Sequence, residues 1–205
     1  PDEASVLAVL ESIPGYLPLF QSAFPEAEKP ITYDNVAAAI GAFERKLVTP
    51  GRFHKFLDGD ASALDEKEQR GLSLFIDAGC VACHQGPGIG GGMFQKLGLL
   101  KPYPTNDAGR FDATKVESDR GFFKVPSLLN VARTAPYFHD GSIATLEEAV
   151  RIMAEYQTAK GKLTDAEVAD LVAFLNALTG ELPVEYIKEP PALAAGPKTP
   201  KPNPN

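Results

Sequence analysis

The run CVACH, Cys80 to His84, limits this chain more than any other feature, because it holds both cysteines of the 205 residues. A CxxC pair serves as a thioredoxin-like redox couple, half of a zinc site, a disulfide or a covalent haem attachment. Zinc needs two further ligands, and the sequence has no second CxxC and no HxxxH. A redox couple belongs in a βαβ context, which the helix-rich flanks do not supply. The histidine directly after the second cysteine decides for haem. Thiols at Cys80 and Cys83 add across two vinyl groups to form thioethers, and the two residues between them set the sulfurs one turn apart. The adjacent His84 imidazole is then directed at the iron as an axial ligand. One covalent haem c is therefore expected, and its maturation outside the cytoplasm points to a periplasmic location.

Composition narrows the partners. A net charge of −7 speaks against nucleic acid, which demands concentrated Lys and Arg. It suits docking onto a basic protein surface. No stretch approaches the roughly 18 apolar residues of a membrane span, so the chain reads as soluble. No signal peptide is visible at residue 1, so a mature form or a fragment is expected.

The periodicity is helical almost throughout, with Pro and Gly as punctuation. Residues 4–13 and 16–24 predict short helices around the Pro14-Gly15 break. A longer helix is predicted from Asp34, as its cap, to Leu47, with Val36, Ile40, Phe43 and Leu47 as an apolar stripe. Residues 65–78 predict a helix facing Leu72 and Phe75 inward and closed by Gly79 just before the CVACH run. Residues 86–130 show no sustained period, and a loop of that length normally wraps something. Thr145 with Glu148, and Thr164 with Glu167, predict capping boxes opening two final helices. The second of these carries Val168, Leu171, Val172, Leu175 and Leu178, and stops at Gly180. Beyond Lys188 the Pro-rich tail is expected to be disordered or to lie extended on the surface. The expected fold class is all-α: a cytochrome-c-like haem domain over 61–189, a helical extension over 1–60 and a disordered tail over 190–205.

A six-coordinate iron needs a ligand opposite His84, and Met93, Met153, His54 and His139 are the candidates. Met93 is only nine residues past His84, an awkward reach to the other face. His54 sits among charged residues and reads as exposed. Met153 lies far enough along the chain to return to the iron, with a core-filling methionine as the alternative. A thioether favours ferrous iron and a high potential, which suits electron transfer.

Longer stretches carry a family likeness: SIPGY (12–16), ITYDNVAAAIGAFERKLVTPG (31–51), GCVACHQGP (79–87), FKVPSLLNVARTAPYFHDGSIATLEEAVRIM (123–153) and LTDAEVADLVAFLNALTG (163–180). The chain resembles the C-terminal, high-potential-haem part of the bacterial di-haem cytochrome c peroxidases over residues 12–191. The resemblance implies that this haem takes electrons from a small cytochrome c or a cupredoxin. It implies that they pass to an N-terminal haem domain, where hydrogen peroxide is reduced to water. It further implies Met153 as the second iron ligand, calcium held partly by the backbone carbonyls of Thr134 and Pro136, and a homodimer. His139, in YFHDG, lies near the domain interface in this family; it either tunes interdomain electron transfer or holds its loop by a hydrogen bond.

One departure matters. The first CxxCH, the distal histidine, the catalytic glutamate and the relay tryptophan of the family have no counterpart here, and the chain has no Trp. No catalytic residue is therefore expected in this chain, and the second haem belongs to the N-terminal haem domain. Two alternatives stay open. One is a free-standing monohaem cytochrome c, against which the SIPGY-type extension weighs. The other is a di-haem oxidase with a tyrosine ligand, for which Tyr156 is one turn beyond Met153.

Overall fold

The computed structural model describes residues 2–201. It is mostly helical and divides into two compact units, one from Thr49 to Glu181 and one formed by the residues up to Val48 together with those from Leu182.

In the Thr49–Glu181 unit, short α4 (Arg52–Leu57) is followed by α5 (Glu66–Asp77), α6 (Phe111–Thr114), α7 (Leu146–Gln157) and α8 (Asp165–Ala177). Helix α5 is opened by a complete capping box between Asp65 and Glu68, and α8 by one between Thr164 and Glu167. At α7 only half of the expected box forms: Thr145 Oγ1 accepts from the Glu148 N–H at 3.2 Å. Helices α5 and α8 cross closely because Gly71 has no side chain; a Cβ there would lie 2.0 Å from the Asp170 carbonyl oxygen. Around the crossing sit Leu64, Val168, Leu171 and Leu178, all nearly inaccessible, with Phe174 between Phe75 (5.3 Å) and Phe53 (5.5 Å). Phe53 brings α4 into this core, and Arg52 forks onto the buried Glu68 carboxylate, with one bond of 2.8 Å. That is why the unit starts at Thr49 and not at the expected 61. The charged residues of RFHKFL concealed the short helix.

The expectation of an all-α domain needs one amendment. Inside 86–130 the segments β1 (Phe94–Lys96) and β2 (Phe122–Lys124) pair antiparallel, Phe94 opposite Lys124 and Lys96 opposite Phe122. Three-residue strands are too short to register as alternation. Asn130 closes this region from a left-handed conformation (φ 62°). Its Nδ2 donates to Thr49 Oγ1 (2.8 Å) and its Oδ1 accepts from the Gly180 N–H (2.9 Å), which ties both ends of the unit together. Asn130→Ala should cost about 2–4 kcal/mol, from two lost hydrogen bonds and the left-handed backbone. Guanidinium unfolding of the haem-loaded chain measures it. Gly180 lies past the end of α8, where a Cβ would meet the Thr49 carbonyl oxygen at 1.8 Å.

The other unit holds α1 (Glu3–Ser12), α2 (Tyr16–Ala23) and α3 (Tyr33–Arg45). Thr32, not Asp34, caps α3, accepting from the Asn35 N–H at 3.1 Å; Asp34 is in the first turn. The expected apolar stripe is not buried here: Ile40 is 54%, Phe43 44% and Leu47 41% exposed, and Leu47 lies beyond the helix end. The segment from Tyr186 onward, whose tail was expected to be disordered or extended on the surface, is held over its described part. Tyr186 stacks on Phe43 at 5.2 Å, Leu193 covers Gly15, and Thr199 Oγ1 donates to the Ser12 carbonyl at 3.0 Å. It has no regular structure, so no periodicity announced these contacts. Tyr186 also explains why the boundary falls at 181 and not at 189. Residues 202–205 of the expected tail lie outside the described residues.

Acid should loosen the start of α8. The Glu167 carboxyl is pulled down to about 2, by the Lys160 ammonium first and then by the Thr164 N–H and hydroxyl. A depressed folded value contributes stability above the unfolded pKa and loses it as pH falls. Melting temperature should therefore be level above about pH 4.5 and decline toward pH 2. In Glu167→Gln that particular decline should be absent.

Candidate haem centre

Helix α5 ends in a left-handed turn at Gly79 (φ 84°), which redirects the chain into a tight turn over Cys80–Ala82. The Cys80 carbonyl accepts from both the Cys83 N–H (3.2 Å) and the His84 N–H (3.0 Å), so the motif wraps a single turn with both thiols free. Burial pushes the Cys80 thiol up to about 11. A reactive redox cysteine has a lowered value, so Cys80 is not set up as the attacking thiol of a redox couple.

His84 leans on α5 through Phe75, with ring centroids 6.4 Å apart. Burial holds its imidazole below the usual histidine range, opposed by the Pro126 and Ile89 carbonyls, so the ring is neutral near pH 7. Its Nδ1 is buried without a hydrogen-bond partner. A neutral imidazole with a buried Nδ1 beside two free thiols fits an axial ligand to covalently attached haem: Cys80 and Cys83 would form the thioethers, and His84 would coordinate. The loop after His84 is held to the segment after β2, with Ser127 Oγ donating to the Gly88 carbonyl (2.7 Å) and the Leu128 N–H to the Ile89 carbonyl (3.1 Å). Gly90, Ile89 and Pro126 were missed by the sequence reading, although the GIGGG run marked a place where backbone conformation was special.

The remaining candidates separate. Met153 is half-buried on α7 and lies outside the aromatic and aliphatic cluster around α5 and α8. Tyr156 is engaged elsewhere, edge-on to Tyr103 at 5.2 Å and under the Lys101 ammonium at 4.7 Å. The Met93 carbonyl accepts from the Val125 N–H (2.9 Å), next to the β1–β2 ladder. His54 is half-buried on α4 where exposure was expected, and its Nδ1 accepts from the Gly51 N–H at 3.2 Å. His139 bonds Asp107 through Nε2 (2.7 Å) and lies on Phe123 at 4.5 Å. Thr134 and Pro136 are exposed. Among the described residues no three His, Cys, Asp or Glu side chains converge on a metal-sized site.

The cytochrome c family model matches residues 68–179, the span that contains α5, the CVACH turn, α7 and α8. The chain belongs to the cytochrome c family. Residues 1–62 match the family model described as di-haem cytochrome c peroxidase, and the chain is similar to proteins named as peroxidases. The cytochrome c551 peroxidase of Nitrosomonas europaea is 47% identical over 178 residues, 85% of this chain and 52% of that protein. The cytochrome c551 peroxidase of Pseudomonas aeruginosa is 46% identical over 184 residues, 86% of this chain and 53% of that protein. The chain thus spans about half the length of these curated relatives. The crystal structure of a MauG-like protein associated with microbial copper homeostasis superposes with a TM-score of 0.73. That match is at 36% identity, over 87% of this chain and 62% of that one.

Proposed function

We propose that this chain is the high-potential electron-transfer part of a periplasmic di-haem cytochrome c peroxidase. Electrons from a small cytochrome c or a cupredoxin would enter here and pass to a second haem domain that reduces hydrogen peroxide. The observation that carries this reading is the presence, within one compact unit, of neutral His84 with its buried Nδ1 in the CVACH turn and half-buried Met153 on α7. When bound, the haem supplies reversible one-electron chemistry. The chain's own residues supply covalent anchorage at Cys80 and Cys83, an imidazole held against Phe75, and a thioether that is not committed to the core.

The exposed Ile40, Phe43 and Leu47 support a companion domain and disfavour a free-standing carrier, because carriers gain nothing from a bare apolar stripe. The partners of Tyr156 support Met153 over a tyrosine ligand and so disfavour the oxidase alternative. Calcium at the Thr134 and Pro136 carbonyls, an interdomain role for His139 and a homodimer belong to the same proposal.

The test uses the haem-loaded chain by itself. It should be low-spin and six-coordinate in both oxidation states, and its spectrum should not respond to hydrogen peroxide. A high-spin centre that turns over peroxide would sink the electron-transfer reading. Anchorage is checked by mass: Cys80→Ser or Cys83→Ser should leave haem on a single thioether, and the double variant should lose it in denaturing acid.

A further inference from the structure

Gly90 stands where three groups crowd together. Its backbone is left-handed (φ 110°), and a Cβ there would lie 2.5 Å from the Pro126 carbonyl oxygen and 3.0 Å from His84 Nδ1. Those distances are below ordinary van der Waals contact, so only glycine lets the carbonyl and the imidazole come this close around it. The position is locked from both sides. The Gly90 N–H donates to the Gln85 carbonyl at 2.8 Å, while Ser127 and Leu128 hold the flanking segment through Gly88 and Ile89. His84 Nδ1 is buried at this spot without a hydrogen bond of its own, and the carbonyls of Pro126 and Ile89 are the acceptors beside it. A metal-bound histidine is oriented, and its basicity raised, by what its second nitrogen donates to.

We propose that Gly90 is a positioning residue for His84: its missing side chain admits the Pro126 carbonyl to the Nδ1 side of the ring and thereby sets how strongly the imidazole donates to iron. The inference rests on the haem reading above. Its consequence is that the carbonyl strengthens the ligand, stabilises the ferric state and holds the reduction potential down. Neighbouring Gly91 is the internal control. It is also left-handed (φ 89°), but a Cβ there would touch only Lys124 Nζ at 3.8 Å and the Ser127 nitrogen at 4.0 Å. Alanine at either position meets the same kind of backbone strain, whereas only Gly90→Ala pushes the carbonyl off the imidazole.

Spectroelectrochemical titration of the haem-loaded variants tests this. Gly90→Ala should raise the equilibrium constant for reduction roughly tenfold, about 59 mV for one electron. Gly91→Ala should leave it within a factor of two, although both variants unfold more easily. Equal potentials in the two variants would overturn the assignment. Should Gly90→Ala yield no haem-loaded protein, the wild-type chain decides through hydrogen exchange at His84 Nδ1. A slowly exchanging proton supports a carbonyl partner, and one lost at the rate of a free imidazole refutes it. A wild-type chain whose mass shows no covalent haem would remove the haem reading, and the Gly90 assignment with it.

Discussion

Gly71→Ala should abolish the accumulation of folded, haem-loaded protein or lower its stability by about 3–5 kcal/mol, a large part of what a domain of this size possesses. The added methyl would be placed 2.0 Å from the Asp170 carbonyl oxygen, 2.7 Å from its carbon and 2.8 Å from Phe174 Cβ. Two of those three atoms are backbone of α8, so no rotamer change relieves the clash and the helices must separate. Separation uncovers Val168, Leu171 and Phe174, all nearly inaccessible at the crossing. It also moves Phe75, the ring on which His84 leans, so haem retention should fall together with stability. Gly41→Ala is the comparison. Gly41 is interior to α3, and a Cβ there would meet only the Arg45 guanidinium, at 3.2 Å. That substitution should stabilise by up to about 1 kcal/mol, through helix propensity alone. Guanidinium unfolding of both variants, with haem content measured from the pyridine haemochrome, distinguishes the two outcomes.

Met153→Ala should leave the haem covalently attached and remove the long-wavelength absorption of an iron–thioether bond. The ferric centre should become high-spin, and the equilibrium constant for reduction should fall more than a hundredfold, about 120 mV for one electron, because a soft thioether favours ferrous iron. The thioether has no part in the core around α5 and α8, so stability of the apo-chain should change by less than the 2–5 kcal/mol typical of a buried methionine. Met153→His should restore a low-spin spectrum without the thioether band and at a lower potential. An unchanged long-wavelength band in Met153→Ala would reassign the ligand, with Met93 the first alternative to mutate.

Much of the scaffold was legible because helices announce themselves locally. The cap at Thr145, the box at 164–167, the glycine at 79 and the apolar positions of α8 lie within a few residues of the contacts they make. The stripe of α3 was legible as a stripe, yet periodicity says only that a face is apolar and not what covers it; the described chain leaves Ile40 exposed and lays Tyr186 on Phe43. The hold on the tail was illegible for the opposite reason. Its contacts through Tyr186, Leu193 and Thr199 reach residues more than a hundred positions away and follow no period.

The sequence by itself located the proposed attachment site, since Cys80, Cys83 and His84 lie within one turn and their spacing is their geometry. It also determined that helices would carry the site. Only the tertiary structure decided that Gly71 lets α5 and α8 cross, that Asn130 ties Thr49 to Gly180, and that Gly90 leaves room for the Pro126 carbonyl beside His84. Each of these depends on how near two distant backbones come, and a glycine or asparagine looks the same in the sequence whether that distance is two ångströms or twenty.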